Sequence, residues 1–223
     1  MAVILVLCTF LVFIVIDAIL SRRKAALPVA IQAAEGGEAE SAGSFVEGFL
    51  VPDQFRYHPG HSWLFRERKN VMRVGVDEFA AALLGKVEKL ELPKPGHWIR
   101  QGQRTLSFLR GDQKAEMVSP IEGEVVEINP DVLNDPTLLR KDPYGKGWLM
   151  TVFVPDEEST GRNLLPTNLV RGWMREAVER LYGMQPELAG AVAADGGRPA
   201  EDLSVAFPDK PWSELTGEFF LTR

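Results

Sequence analysis

Residues 2–20 read AVILVLCTFLVFIVIDAIL, an almost purely apolar run broken by one charge, Asp17, near its end. About 20 helical residues at 1.5 Å each span the roughly 30 Å hydrocarbon core of a bilayer, so this run is long enough to cross one. Near the end of the run the Asp17 carboxylate can reach the headgroups, where its cost is lowest. The run lacks the basic leader and the small-x-small cleavage site of a secretory signal. Arg22, Arg23 and Lys24 follow it directly. Basic residues at that flank stay inside, which places the N-terminus outside and the rest of the chain in the cytoplasm. The expectation is a single-pass anchor over residues 1–24, held in the cell (inner) membrane with the lipid bilayer as one partner.

The remaining composition excludes several classes of function. A net charge of −6 leaves no basic face for phosphate backbones, so no nucleic acid partner is expected. The one cysteine, Cys8, lies inside the apolar run and can build neither a disulfide framework nor a zinc cluster. His58 and His61 flank a Pro-Gly pair rather than sharing a helix face, and His97 stands alone, so no metal site is expected. Ser62 follows His61 on an extended segment, where neighbours point to opposite faces and cannot form a nucleophile–base pair. Gly145-Lys146 lacks the frame of a phosphate loop. No catalytic residue emerges, and the chain is not expected to be an enzyme.

Residues 25–49 are rich in Ala, Gly, Glu and Ser and read as a flexible linker. Residues 50–160 carry short strand-like runs at 62–65, 71–76, 87–92, 105–109, 123–128 and 148–154, separated by turn residues. One helix interrupts them, capped by Asp77 and ended by Gly85. Over residues 161–223 the pattern changes. Leu169, Trp173, Ala177, Val178 and Leu181 recur at helical spacing over 166–184, giving an amphipathic helix. The stretch 185–210 reads as irregular, and the end of the chain brings Trp212, Leu215, Phe219, Phe220 and Leu221.

Several motifs in order carry a family resemblance. They are Tyr57-His58-Pro59-Gly60-His61-Ser62-Trp63; Val74-Gly75-Val76-Asp77-Glu78-Phe79-Ala80 with Leu84-Gly85; Leu90-Glu91-Leu92-Pro93 with Pro95-Gly96; Ser119-Pro120-Ile121-Glu122-Gly123-Glu124-Val125; and Asn134-Asp135-Pro136 leading to Tyr144-Gly145-Lys146-Gly147-Trp148. Together they resemble the H protein of the glycine cleavage system, a small lipoyl-domain carrier. The resemblance implies a mainly β fold, a flattened sandwich of the lipoyl-domain type, here with an N-terminal transmembrane helix and a C-terminal helix plus irregular tail.

That family carries lipoyl on a hairpin lysine within Glu-Ser-Val-Lys-Ala. The matching stretch here is Leu109-Arg110-Gly111-Asp112-Gln113-Lys114-Ala115, which puts Asp112 at the attachment position and Arg110-Gly111 in place of Ser-Val. An aspartate cannot form the lipoyl amide. Lys114, followed by Ala115, is the one local substitute for lipoate; otherwise no cofactor is expected. The expected function is therefore a non-catalytic subunit that scaffolds a membrane-bound respiratory or photosynthetic complex on its cytoplasmic side. Its partner would be an integral membrane complex, docked through Trp173, Trp212, Phe219 and Phe220. The alternative is a membrane-tethered lipoyl carrier using Lys114 to pass acyl or aminomethyl groups, or electrons, to an oxidoreductase.

Overall fold

In the computed structural model, residues 43–185 and 202–222 are described, all within one unit spanning Ser41–Arg223. The anchor at 2–20 and most of the linker lie outside the described residues. The first described element already departs from the expected boundary. Strand β1 (Gly43–Val46), inside the expected linker, pairs with β2 (Phe49–Pro52) as an antiparallel hairpin. Phe49 and Val51 are buried in the core, which is why residues 43–49 join the domain.

A six-stranded antiparallel sheet follows. It runs β3 (Arg56–His58), β4 (Ser62–Arg68), β5 (Val71–Val76), β11 (Met150–Phe153), β10 (Gly123–Ile128) and β7 (Trp98–Ile99), in that spatial order. A three-stranded sheet places β8 (Arg104–Arg110) between β6 (Lys89–Glu91) and β9 (Gln113–Val118). Leu106, Phe108 and Met117 of the smaller sheet share one apolar core with Val74, Val125, Met150 and Val152 of the larger. Alternation along each strand puts these residues on the inner faces. Four of the strand-like runs keep their place within one or two residues, 62–65 extends by three to β4, and 87–92 shrinks to β6.

Helix α1 (Glu78–Leu84) starts where Asp77 accepts the Ala80 N–H at 2.7 Å, and it ends at Gly85, whose φ of 60° suits glycine. Asp77 has a second partner: His61 Nδ1 donates to its other carboxylate oxygen at 2.9 Å, and both groups are buried. The His61 ring is stacked between Phe79 and Trp173, each with its centroid 4.4 Å away. Trp173 belongs to α5 (Thr167–Gly183), so one imidazole ties the β3–β4 turn to two helices. The buried stripe of α5 is Val170, Met174, Ala177, Val178 and Leu181, one step round from the expected Leu169, which is exposed.

Short helices α2 (Pro130–Asn134), α3 (Leu138–Lys141) and α4 (Glu157–Arg162) fill the connections around β10 and β11. The C-terminal segment is not an irregular docking tail. A single 3-10 turn (Leu203–Ala206) leads to α6 (Trp212–Phe219), and Trp212, Leu215, Phe219 and Phe220 are buried in the chain's own core. The expected docking role of Trp212, Phe219 and Phe220 is corrected accordingly, because their apolar surface is already covered within the chain. Half-buried Trp173 is likewise engaged, against His61.

Two predictions follow from this packing. Phe220→Ala should lower unfolding stability by about 3–5 kcal/mol, as for a large core aromatic; denaturant titration showing no change would mean the tail is peripheral. His58 is buried, and that burial, with His61 nearby, depresses its pKa to about 4 from 6.5. The unfolded chain therefore takes up the proton first as pH falls. Stability should drop between pH 6.5 and 4, by on the order of 3 kcal/mol from this group. His58→Gln should flatten that part of the stability–pH curve.

Candidate functional site

Strands β8 and β9 form the hairpin on which the family resemblance places its chemistry. Leu109 pairs with Lys114 and Arg110 with Gln113, so Gly111 and Asp112 alone make the turn. Two-residue hairpin turns need a positive φ at the first central residue in the II′ geometry, and Gly111 supplies it with φ 54°. The Gly111 N–H donates to Glu88 at 3.1 Å, tying the tip to the residue just before β6. Asp112 is exposed at the apex.

A lipoyl amide requires a primary amine at the tip, and the side chain there is a carboxylate. The residues present do not fit the group at that position. Lys114 sits one rung down, inside the strand ladder, with its side chain 46% exposed and its ammonium 3.0 Å from Glu116. Glu116 is also 3.8 Å from Arg104, so the flank of the hairpin carries a row of alternating charges.

Arg110 has a different part. Its Nη1 donates to Ser204 Oγ at 2.8 Å and lies 3.8 Å from Asp202, while Nη2 donates to Gln113 at 3.3 Å. The guanidinium also lies over the Trp212 ring, 4.6 Å from its centroid. Asp202 in turn accepts from Ser204 Oγ at 2.6 Å and packs against Gly85, where a Cβ would collide with its carboxylate. The Trp212 indole donates to the Leu83 carbonyl at 3.4 Å, and Thr222 Oγ1 donates to the Glu116 carbonyl at 3.4 Å. The C-terminal segment is thus fastened to the tip, to β9 and to the end of α1.

Asp112 and Lys114 stand out in the sequence, whereas the joining of Arg110 to Asp202 and Ser204 does not. The available signal was the bulky cation standing where the family's motif has serine. Its partner lies 94 positions away, and no local pattern announces a contact of that span.

The model of the glycine cleavage H-protein family matches residues 55–176, more than half of the chain. The chain belongs to that family. The glycine cleavage system H protein of Streptomyces coelicolor is 37% identical over 106 residues, covering 48% of this chain and 85% of that protein. That of Mycobacterium leprae is 33% identical over 125 residues, covering 55% and 95%. The crystal structure of an H protein from Mycobacterium marinum aligns at 26% identity and a TM-score of 0.43, covering 47% of this chain and 87% of that one. As in that family, the fold is mainly β.

These relatives correct three expectations. They are named as H proteins of the glycine cleavage system, which overturns the scaffold role in a respiratory or photosynthetic membrane complex. The integral membrane partner and the inner-membrane address fall with it. Among the described residues no helix is long and apolar enough to cross a membrane. The physical reason for the error is that an apolar run specifies a solvent preference and names no host.

Arg110→Ala should remove the ring contact and the Ser204 bond, costing about 1–3 kcal/mol in stability. Limited proteolysis should then cut sooner between residues 202 and 222. Arg110→Lys should restore little, because an ammonium cannot reproduce the planar fork; full recovery with lysine would show that charge alone matters.

Proposed function

We propose that this protein is a non-catalytic member of the H-protein family that meets glycine-cleavage-type enzymes through its carrier fold and bears no lipoyl arm at the hairpin tip. The observation that carries this reading is Asp112 at the apex of the Arg110–Gln113 turn. The fastening of the tip by Arg110 to Ser204 and Trp212 supports it, since a hairpin held from the side is a fixed feature of the surface. Such a protein would occupy the sites at which a loaded H protein delivers its arm, and so limit or order their use.

A second reading is favoured by one observation. Lys114 is the one amine on the hairpin itself and its side chain is half exposed, so lipoylation there is the competing possibility. Its position in the ladder and its ion pair with Glu116 weigh against it.

Intact-mass measurement after expression in a lipoylating host separates the two. The first reading expects the unmodified mass, and expects Asp112→Lys to gain a lipoyl adduct at residue 112. An adduct on Lys114 of the wild-type chain, absent in Lys114→Arg, would establish the second. Added in excess to a glycine cleavage assay driven by a lipoylated H protein, the unmodified chain should slow turnover. An unaffected rate would sink the docking reading.

A further inference from the structure

Trp98 lies in a sheet strand yet is 51% exposed. Its neighbour in register on β10 is Glu124, whose own neighbour on β11 is Phe153, 40% exposed. Residues side by side across a sheet project to the same face, so two open aromatic rings flank one carboxylate. Beside Trp98, the turn after β11 and the start of α4 close a cleft of about 200 Å³, lined by Trp98, Gln101, Glu122, Pro155, Asp156 and Ser159.

The polar groups of this cleft are unevenly committed. Gln101 is spent on the Pro120 carbonyl at 2.7 Å and on Asn163 at 2.6 Å. One oxygen of Asp156 takes the Ser159 N–H at 2.9 Å, which leaves the other. Glu122 and Glu124 are exposed and make no hydrogen bond or ion pair among the described residues. Arg100, two residues beyond Trp98, offsets part of this charge, and the face remains acidic. An indole face attracts a cation by its quadrupole, and adjacent carboxylates without partners add to the pull. A cleft of this size holds several water volumes of about 30 Å³ each, room for the head of one long side chain.

We propose that the Trp98–Glu122–Asp156 cleft, with Phe153 beside it, docks a basic segment of a partner protein and takes one lysine or arginine side chain. Tryptophan and arginine dominate protein interfaces of this kind, and charge complementarity sets the sign of the partner. The site is separate from the hairpin tip. Gly102 and Ser119 bond backbone to backbone at the open end of the hairpin, and seven residues of β8 at about 3.3 Å each put the tip roughly 20 Å away. The proposal therefore stands whether or not Lys114 is modified.

The test is titration of the full-length chain with an N-acetylated hexalysine peptide at low salt, read by calorimetry. Saturable binding is expected, weakened at least tenfold in Trp98→Ala and several-fold in Glu122→Gln and Glu124→Gln, with hexaglutamate not binding. Glu91→Gln, which removes an exposed acid of the other sheet, should bind as the wild type does. Equal weakening in Glu91→Gln would reduce the effect to net charge and overturn the site. So would absence of saturable binding, or wild-type affinity in Trp98→Ala. Should Trp98→Ala lose its thermal transition, Glu122→Gln on the exposed loop decides the matter alone.

Discussion

The buried pair of His61 and Asp77 is the contact on which the arrangement of elements depends. Asp77 uses one carboxylate oxygen to start α1 and the other to hold the imidazole of the β3–β4 turn. His61 adopts a left-handed backbone, φ 61°, and its carbonyl accepts the Asp77 N–H at 3.1 Å, so the turn and the helix start are bonded twice. The ring then lies between Phe79 and Trp173, with Phe219 edge-on at 6.2 Å. A carboxylate buried without such partners would be costly. Fully bonded, it orients four segments of chain that are distant in sequence.

From that hub the C-terminal segment reaches the hairpin. Phe219 and Phe220 fill the core near α1, and the same segment sends Trp212 and Ser204 to Arg110. The base of the hairpin tip is thus clasped from within. The clasp and the acid at the apex are physically consistent with each other. The area that the hairpin shares with the C-terminal segment adds to the stability of the fold.

Much of the β architecture was legible in the residues. Alternating apolar runs bounded by Gly and Pro gave four strands nearly in place, and Asp77 and Gly85 gave both ends of α1, because strand alternation and helix caps are local signals. The second strand of the hairpin, β9, was not among the strand-like runs, and its register came from the structure, because Gln-Lys-Ala-Glu-Met lacks a clear alternation of apolar residues. The C-terminal segment was misread. Trp212, Phe219 and Phe220 announce a need for burial, but nothing local says whether the cover comes from the same chain or another. The host complex was misread for a similar reason, since location carries no information about chemistry.

The sequence by itself determined the family and the aspartate, Asp112, that stands at the apex of the hairpin. Those follow from residue identity and short-range spacing. Only the tertiary structure decided what surrounds that hairpin: Arg110 closing on Ser204 and Trp212, and α6 seated in the core. It also brought Trp98 and Glu122 into one cleft with Asp156. Such contacts join residues tens of positions apart, and their existence depends on the packing of the whole core, which no short window of residues encodes.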